Sequence, residues 1–170
     1  MKYIVRAKGD FQNVKHLYIE QNYSIVISCT NCGEKHSKHV LVSDDNLVSK
    51  EYTGKVNLIV KCKMCDREMC IRISDPKGSK KHIHCGDPVL HTGYEEIQMS
   101  LKDGDTFIVS ELDVRGCFVK EVSNVTCNII SESNKLFKDV RFVENGWVGS
   151  DQRGNVTSIE GFMVEPCLIS

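Results

Sequence analysis

Two pairs of cysteines constrain the fold of this 170-residue chain more than any other feature of its sequence. Each pair encloses two residues: Cys29 is followed by Cys32, and Cys62 is followed by Cys65. This spacing lets both thiolates of a pair reach one ion at about 2.3 Å, and two pairs supply the tetrahedral four-thiolate shell that suits Zn²⁺. Gly33 stands directly after the first pair, where a chain that curls past a metal favours positive φ. The sequence therefore predicts one structural Zn²⁺ per chain, bound by these four cysteines.

The interval between the two pairs is long for a zinc ribbon. It runs over the 29 residues 33–61, against about 15–20 in the common ribbon pattern, so we expect additional strands and a turn within it. Two other interpretations stay open: unliganded core cysteines and a redox-active pair. A redox pair normally opens a helix after a strand, and no helix pattern follows either pair. Lys61, Lys63 and Arg67 surround the second pair and offset part of the negative charge of a Zn²⁺ ion with four thiolates.

The other five cysteines are scattered singly. The total of nine is odd, so complete internal disulfide pairing is impossible. Cys70, Cys117 and Cys127 alternate with apolar residues and are predicted to be small side chains of the core. Cys167 has no partner cysteine at a matching spacing.

Five further residues offer metal-binding side chains outside the two pairs. His82, His84 and Cys85 stand together beside a Lys-, Gly- and Asp-rich stretch, for which an exposed loop is favoured over a second metal site. His36 and His39 follow the first pair and are interpreted as surface residues of a strand, because four thiolates already complete a zinc shell.

The hydrophobic pattern is mostly that of strands. Apolar and polar residues alternate, or short β-branched runs occur, over residues 3–8, 23–29, 56–60, 70–73, 94–101, 106–114, 126–130 and 161–164. This is the periodicity of β-structure, and the Lys-Asp-Gly-Asp sequence at 102–105 predicts a hairpin turn. No amphipathic helix of 12 residues is evident, although residues 43–50 and 131–140 are considered for short helices. The predicted fold class is mainly β.

Charge divides the chain unevenly. Residues 50–82 carry nine Lys/Arg and four Asp/Glu, a net +5, whereas residues 83–170 carry seven and fourteen, a net −7. The change falls in a loop that contains Pro76 and Gly78, which predicts a zinc-binding β lobe over 1–82 and an acidic β lobe over 83–170. A single continuous domain over 1–170 is the alternative. Residues 9–14 are faintly similar to residues 115–122, so a duplicated β unit is weighed against chance.

Composition excludes several classes of protein. Apolar residues make up 41% and charged residues 26%, which is typical of a globular domain and not of collagen, a coiled coil or a disordered chain. No apolar run approaches the 18 or so residues of a membrane span. Lys2, Arg6 and Lys8 leave no apolar segment for a signal peptide, so a cytoplasmic protein is predicted. The net charge of −1 and the lack of aromatic residues over 53–90 argue against a nucleic-acid partner.

Several segments together resemble one known family. They are Cys29–Glu34, Lys61–Glu68, Phe11–Val14, Arg115 with Gly116, and Phe137–Val140 followed by Trp147 and Asp151. The chain resembles the eukaryotic CXXC motif-containing zinc-binding proteins over its whole length. The resemblance implies a compact, mainly β protein of two related lobes, with one zinc held by the two cysteine pairs in the N-terminal lobe. It implies no established catalytic activity.

Three functions are compared on this basis. The favoured one is a zinc-stabilised β scaffold that binds other proteins, because a closed four-thiolate shell has no open position for water and no Ser-His-Asp set, phosphate loop or H-E-x-x-H motif accompanies it. The alternatives are a metal-handling protein that passes zinc or copper to a partner, and a thiol-redox enzyme that uses Cys85, Cys117 or Cys167. We therefore expect a monomer that is not an enzyme and whose partner is an unidentified protein, with no membrane and no nucleic acid.

Overall fold

Strand structure begins at the second residue. In the segment Lys2–Gln12 the side chains of Tyr3 and Val5 are buried while those of Arg6 and Lys8 are exposed, which is the alternation of a strand with one face on the core. The computed structural model describes residues 1–36, 38–50, 54–74 and 106–169. Within these ranges regular structure is β throughout, and no helix long and apolar enough to span a membrane is found. The prediction of a mainly β fold is confirmed.

Fourteen strands lie within the described residues. In chain order they are β1 (Lys2–Gln12), β2 (Val14–Ile19), β3 (Asn22–Cys29), β4 (Val40–Ser43), β5 (Val48–Lys50), β6 (Gly54–Val56), β7 (Leu58–Lys61), β8 (Glu68–Ser74), β9 (Thr106–Arg115), β10 (Cys117–Ser123), β11 (Thr126–Ser131), β12 (Leu136–Arg141), β13 (Trp147–Ser150) and β14 (Val156–Leu168). All of their pairings are antiparallel. The interval between the cysteine pairs holds β4 to β7, as its length predicts.

One six-stranded sheet contains strands from both halves of the sequence. Its order is β13-β14-β1-β9-β8-β7, and it is accompanied by the three-stranded sheets β10-β3-β4 and β12-β11-β2 and by the pair β5-β6. Strand β1 of the N-terminal half therefore lies between β14 and β9 of the C-terminal half. This sharing favours one continuous domain, and the division at residue 82, which lies outside the described residues, stays a prediction.

The pairings of six strands follow a two-fold pattern. Strands β1, β2 and β3 succeed one another with a positive φ of 59° at Asn13, and β9, β10 and β11 do so with a positive φ of 78° at Gly116. Strand β1 pairs with β9, β2 with β11, and β3 with β10. If β1, β2 and β3 are exchanged with β9, β10 and β11 in that order, the same three pairings result. This is the topology expected of two copies of one unit. Duplication itself stays a hypothesis.

The core is formed mainly by branched aliphatic side chains of these six strands and of β8 and β14. Its largest fully buried members include Tyr23, Ile25, Ile27, Ile71, Leu112, Ile129 and Ile159. Cys70, Cys117 and Cys127 are also buried, with 3%, 0% and 0% of their surface exposed. The prediction that these three cysteines are core side chains is confirmed. Burial raises the pKa of the Cys117 thiol to about 12 and that of Cys127 still further.

The short helices considered for residues 43–50 and 131–140 are not present, so that prediction is wrong. Residues 43–50 hold the end of β4, a turn and β5, and residues 131–140 hold a turn between β11 and β12. Each segment is shorter than the roughly 12–15 residues an isolated helix needs, and each has a tertiary anchor. The buried side chain of Asn57 donates hydrogen bonds to the carbonyls of Ser43, Asp44 and Asn46, and so holds the first turn in place.

Some predictions lie outside the described residues. They are the strand at 94–101, the hairpin turn at 102–105 and the loop group of His82, His84 and Cys85.

Candidate metal centre

The first cysteine pair occupies a tight turn at the end of β3. The backbone N–H of Gly33 donates to the carbonyl of Cys29 at 3.0 Å, and the N–H of Cys29 donates to the carbonyl of Glu34 at 2.9 Å. Gly33 has a φ of 76°, in the left-handed region that a glycine enters without a Cβ penalty. The turn, here called knuckle 1 (residues 29–34), matches the sequence expectation for Gly33.

The second pair repeats the same turn between β7 and β8. The N–H of Asp66 donates to the carbonyl of Cys62 at 3.0 Å, and the N–H of Cys62 donates to the carbonyl of Arg67 at 2.9 Å. Asp66 takes the place of Gly33 with a φ of 56°, which a short polar side chain tolerates better than a branched one. This turn is knuckle 2 (residues 62–67). The strands that carry the two knuckles come from different sheets, so the metal centre bridges the β3 and the β7–β8 layers.

The four knuckle sulfurs converge. All four Sγ atoms lie within 4.8 Å of one another, with 3.6 Å between Cys29 and Cys65 and 3.5 Å between Cys32 and Cys62. Sulfurs held tetrahedrally at about 2.3 Å from one ion are about 3.8 Å apart. The structure therefore brings the four predicted site residues together and positions them to bind one metal ion.

The sulfurs also differ in how readily they ionise. Hydrogen bonds from the Asn31 side chain and from the Arg67 backbone lower the pKa of the Cys65 thiol to about 6. At Cys32 a hydrogen bond from the backbone of Glu34 lowers the pKa of the thiol. Desolvation and the neighbouring knuckle thiols raise that pKa by more, to about 12. Neighbouring knuckle thiols therefore lower the pKa of Cys65 but raise that of Cys32, and a divalent cation is what stabilises four thiolates together. A set of four sulfur donors fits Zn²⁺.

Burial is unequal across the centre. Cys29 and Cys62 are each only 1% exposed, Cys65 is half-buried and Cys32 is exposed. Met64 at the tip of knuckle 2 is 71% exposed. The centre therefore faces the core on one side and solvent on the side of Cys32.

Gly116 contacts both knuckles through its backbone. In the sequence it stands out only as one of the residues that resemble the family. Its carbonyl accepts hydrogen bonds from the backbone N–H and the Oγ1 of Thr30, in knuckle 1, at 3.0 and 3.1 Å. A Cβ at residue 116 would lie 2.5 Å from the carbonyl oxygen of Glu68, directly after knuckle 2. The backbone of residue 116 lies so close to the backbones of Thr30 and Glu68 that a side chain at residue 116 has no room. No local sequence signal reveals it, because the three segments are distant in the chain.

The remaining candidate residues lie outside the sulfur cluster. His36 and His39 lie between β3 and β4 rather than within a strand, and neither belongs to the four-sulfur group. Cys167 is half-buried on β14. Among the described residues the four knuckle cysteines form the one group of three or more potential metal-binding side chains.

Comparisons with known proteins agree with this centre. A family model described as CXXC motif containing zinc binding protein, eukaryotic, matches residues 4–165. An uncharacterized protein of Encephalitozoon cuniculi is 30% identical over 169 residues, covering 95% of both chains. A UPF0587 protein of Dictyostelium discoideum is 28% identical over 154 residues, covering 88% of this chain and 85% of the relative. The names of these relatives state no activity.

Two solved structures share the fold. The crystal structure of C1orf123 matches with a TM-score of 0.77 and 18% identity, covering 98% of each chain. A hypothetical protein from Plasmodium falciparum matches with a TM-score of 0.75 and 16% identity, covering 98% of this chain and 99% of that one. At these identities the likeness is one of fold alone.

Proposed function

Because this chain belongs to the eukaryotic family of CXXC motif-containing zinc-binding proteins, we propose that it is a zinc-stabilised β scaffold that binds other proteins and catalyses no reaction of its own. In this proposal Cys29, Cys32, Cys62 and Cys65 hold one Zn²⁺. The observation that carries it is the repetition of one turn at both cysteine pairs, with all four sulfurs within 4.8 Å of one another. The bound ion would supply a cross-link between two sheets.

The position of the centre supports a structural role for the metal. Knuckle 1 ends β3 and knuckle 2 joins β7 to β8, so a metal bound by both closes the segment of residues 33–61 into a loop. Structural Zn²⁺ contributes on the order of 10–16 kcal/mol in peptide sites, comparable with the whole stability of a domain. A shell of four thiolates also leaves no position for a reacting water, which supports a role in assembly over one in catalysis.

The cysteines outside the knuckles give little support to the redox alternative. A redox enzyme needs an exposed thiol of low pKa. Cys117 and Cys127 are fully buried and burial raises the pKa of both. Cys85 lies outside the described residues, and Cys167 is a half-buried free thiol. We further place the protein in the cytoplasm, where reducing conditions keep knuckle thiols available for metal.

The test of the scaffold is affinity capture with two matched baits. The zinc-loaded protein is one bait and Cys62→Ser the other, and a captured protein is then purified and titrated against each. We expect one protein to bind the zinc-loaded chain directly and to bind Cys62→Ser at least about tenfold more weakly. Cys167→Ser serves as the control bait and should bind like the wild type. A wild-type bait that retains nothing beyond bare resin would contradict the proposal.

Metal handling is the second candidate, and the exposure of Cys32 favours it. A partner that takes the ion must approach an accessible ligand, and Cys32 is the knuckle cysteine that solvent reaches most. The measurement is the rate at which a stoichiometric chelator removes zinc from the folded protein. Loss over hours supports the scaffold, whereas loss within seconds would put metal handling first.

A further inference from the structure

A small cleft beside the metal centre combines residues of two separate chain segments. It has a volume of about 210 Å³ and is lined by Glu34, Lys35, His36, Lys38, Val40 and Lys63. Glu34 and Lys63 belong to knuckles 1 and 2, and the other four residues follow knuckle 1 on the way into β4. The knuckle cleft, as we name it, is therefore assembled where the metal would join the two knuckles.

The three lysines of the knuckle cleft have no partner within the part of the chain that the structure describes. In the ranges that the structure covers, the ammonium groups of Lys35, Lys38 and Lys63 make no ion pair and no hydrogen bond. The Nε2 atom of His36 is buried and has no hydrogen-bond partner there. A buried polar nitrogen without a partner costs about 1–3 kcal/mol. Three unpaired cations thus line a space whose described lining contains a single carboxylate, that of Glu34.

We propose that the knuckle cleft is the docking point for an acidic segment of a partner protein, with a carboxylate side chain of that segment seated among Lys35, Lys38 and Lys63. This inference rests on the protein-binding scaffold proposed above and names the chemistry of its partner. The lysine ammonium groups pair with the carboxylate by charge and donate hydrogen bonds to it.

The size and lining of the cleft favour a peptide side chain over other anions. Sites for small molecules measure roughly 300–1,000 Å³, so a space of about 210 Å³ suits one or two side chains. Val40 and the methylene stems of the lysines offer apolar surface to the stem of a glutamate. No phenylalanine, tyrosine or tryptophan is among the described residues that line the cleft, and nucleic-acid strands are normally bound with stacking platforms of such side chains.

The lysines also offset the negative charge of a four-thiolate zinc centre, which gives them a purely structural alternative role. The two roles differ in what solution measurements detect. A structural role makes zinc affinity depend on the lysines, whereas a docking role leaves zinc bound and makes peptide affinity depend on them. Docking through exposed charges is also screened by salt within a Debye length of about 8–10 Å, so peptide affinity should fall as the ionic strength rises.

The experiment titrates the zinc-loaded full chain with a fluorescent peptide of alternating glutamate and serine, and with its glutamine counterpart. We expect the glutamate peptide to bind at least about tenfold more tightly than the glutamine peptide. The variant Lys35→Gln/Lys38→Gln/Lys63→Gln should retain its zinc and lose at least about tenfold in peptide affinity. The matched control Lys8→Gln/Lys120→Gln/Arg153→Gln removes the same charge at exposed positions outside the cleft and should stay within about twofold of the wild type.

Three outcomes would overturn the docking proposal. Equal weakening by both triple variants would mean attraction by overall charge and no site at the cleft. Tighter binding of a single-stranded oligonucleotide than of the glutamate peptide would assign the cleft to nucleic acid. Loss of zinc from the cleft variant would assign the lysines to the metal. None of these removes the scaffold, which fails separately if the captured partner binds Cys62→Ser as well as it binds the wild type.

Discussion

Gly33 and Asp66 hold the same place in two turns that are 33 residues apart in the sequence. Each has a positive φ, of 76° and 56°, and each donates its N–H at 3.0 Å to the carbonyl of the cysteine four residues earlier. The two turns differ in conformational free energy. Glycine adopts the left-handed conformation without a steric penalty, whereas aspartate adopts it with a small one. This difference makes the two positions unequal in their response to substitution.

Substitution at Gly33 should cost stability through backbone conformation alone. A Cβ at this position meets nothing within 4 Å, so Gly33→Val should lower the free energy of unfolding by about 1–2 kcal/mol, while Gly33→Asn should cost less. At the second turn Asp66→Gly should be neutral or stabilising by up to about 1 kcal/mol. The measurement is urea unfolding at a fixed concentration of free zinc. Equal losses for valine and asparagine at residue 33 would show that the turn does not depend on φ.

Gly116→Ala should be far more damaging than its backbone conformation explains. The new Cβ would lie 2.5 Å from the carbonyl oxygen of Glu68 and 3.3 Å from the Cα of Met69, both parts of a strand that leaves knuckle 2. We expect a loss of more than about 2 kcal/mol in unfolding free energy, together with weaker zinc binding, because the two knuckles must move apart. The measurements are urea unfolding and competition for zinc with a chelator.

Gly154→Ala is the matched control for this prediction. Gly154 has a φ of 79°, against 78° for Gly116, but its Cβ would meet nothing within 4 Å. It should lose only about 1 kcal/mol and bind zinc like the wild type. If both variants lose a similar amount of unfolding free energy, the contact between the new Cβ at residue 116 and the carbonyl oxygen of Glu68 does not destabilise the fold.

The metal should stabilise the fold. Purified protein is expected to hold about one zinc per chain, and Cys62→Ser should lower the melting temperature sharply and expose the remaining knuckle thiols to alkylation. The reason is that three thiolates hold the ion more weakly and the site contributes on the order of 10 kcal/mol. Cys167→Ser, which removes a half-buried thiol of β14, should change neither property. The check is a thermal melt with thiol counting. A Cys62→Ser protein that melts like the wild type would contradict a structural role.

Asn57 should be the most important single polar side chain of the segment between the knuckles. Only 2% of it is exposed, its Nδ2 donates to three carbonyls of residues 43–46, and its Oδ1 accepts from the N–H of Ile73 at 2.7 Å. Asn57→Ala removes all four of these part-buried hydrogen bonds, while the carbonyl of Ser43 keeps its bond from the N–H of Asn46. The loss should be about 2–3 kcal/mol in unfolding free energy. The comparison is Asn46→Ala, because Asn46 contributes only its backbone carbonyl to this network, and its loss should be below about 0.5 kcal/mol.

Local patterns predicted well what depends on neighbouring residues. The alternation around Tyr23 and Ile25 predicted β3, and the cysteine spacings predicted two turns with a residue at positive φ after the first. The short helices failed because residues 43–50 and 131–140 are weakly patterned, and distant groups decide their conformation. Asn57 holds the first of these segments, and the carbonyl of Asn13, which accepts a hydrogen bond from the N–H of Glu132 at 3.1 Å, holds the second.

The sequence by itself determined the β class and the form of the two knuckle turns, since strands and turns follow from spacings of two to five residues. Only the tertiary structure decided that β1 lies between β14 and β9, that Gly116 supports both knuckles, and that Lys63 joins Lys35 and Lys38 around one cleft. The physical reason is that antiparallel pairing and close backbone approach join residues far apart in the chain. Such contacts depend on how whole sheets stack and leave no periodic signal in the sequence.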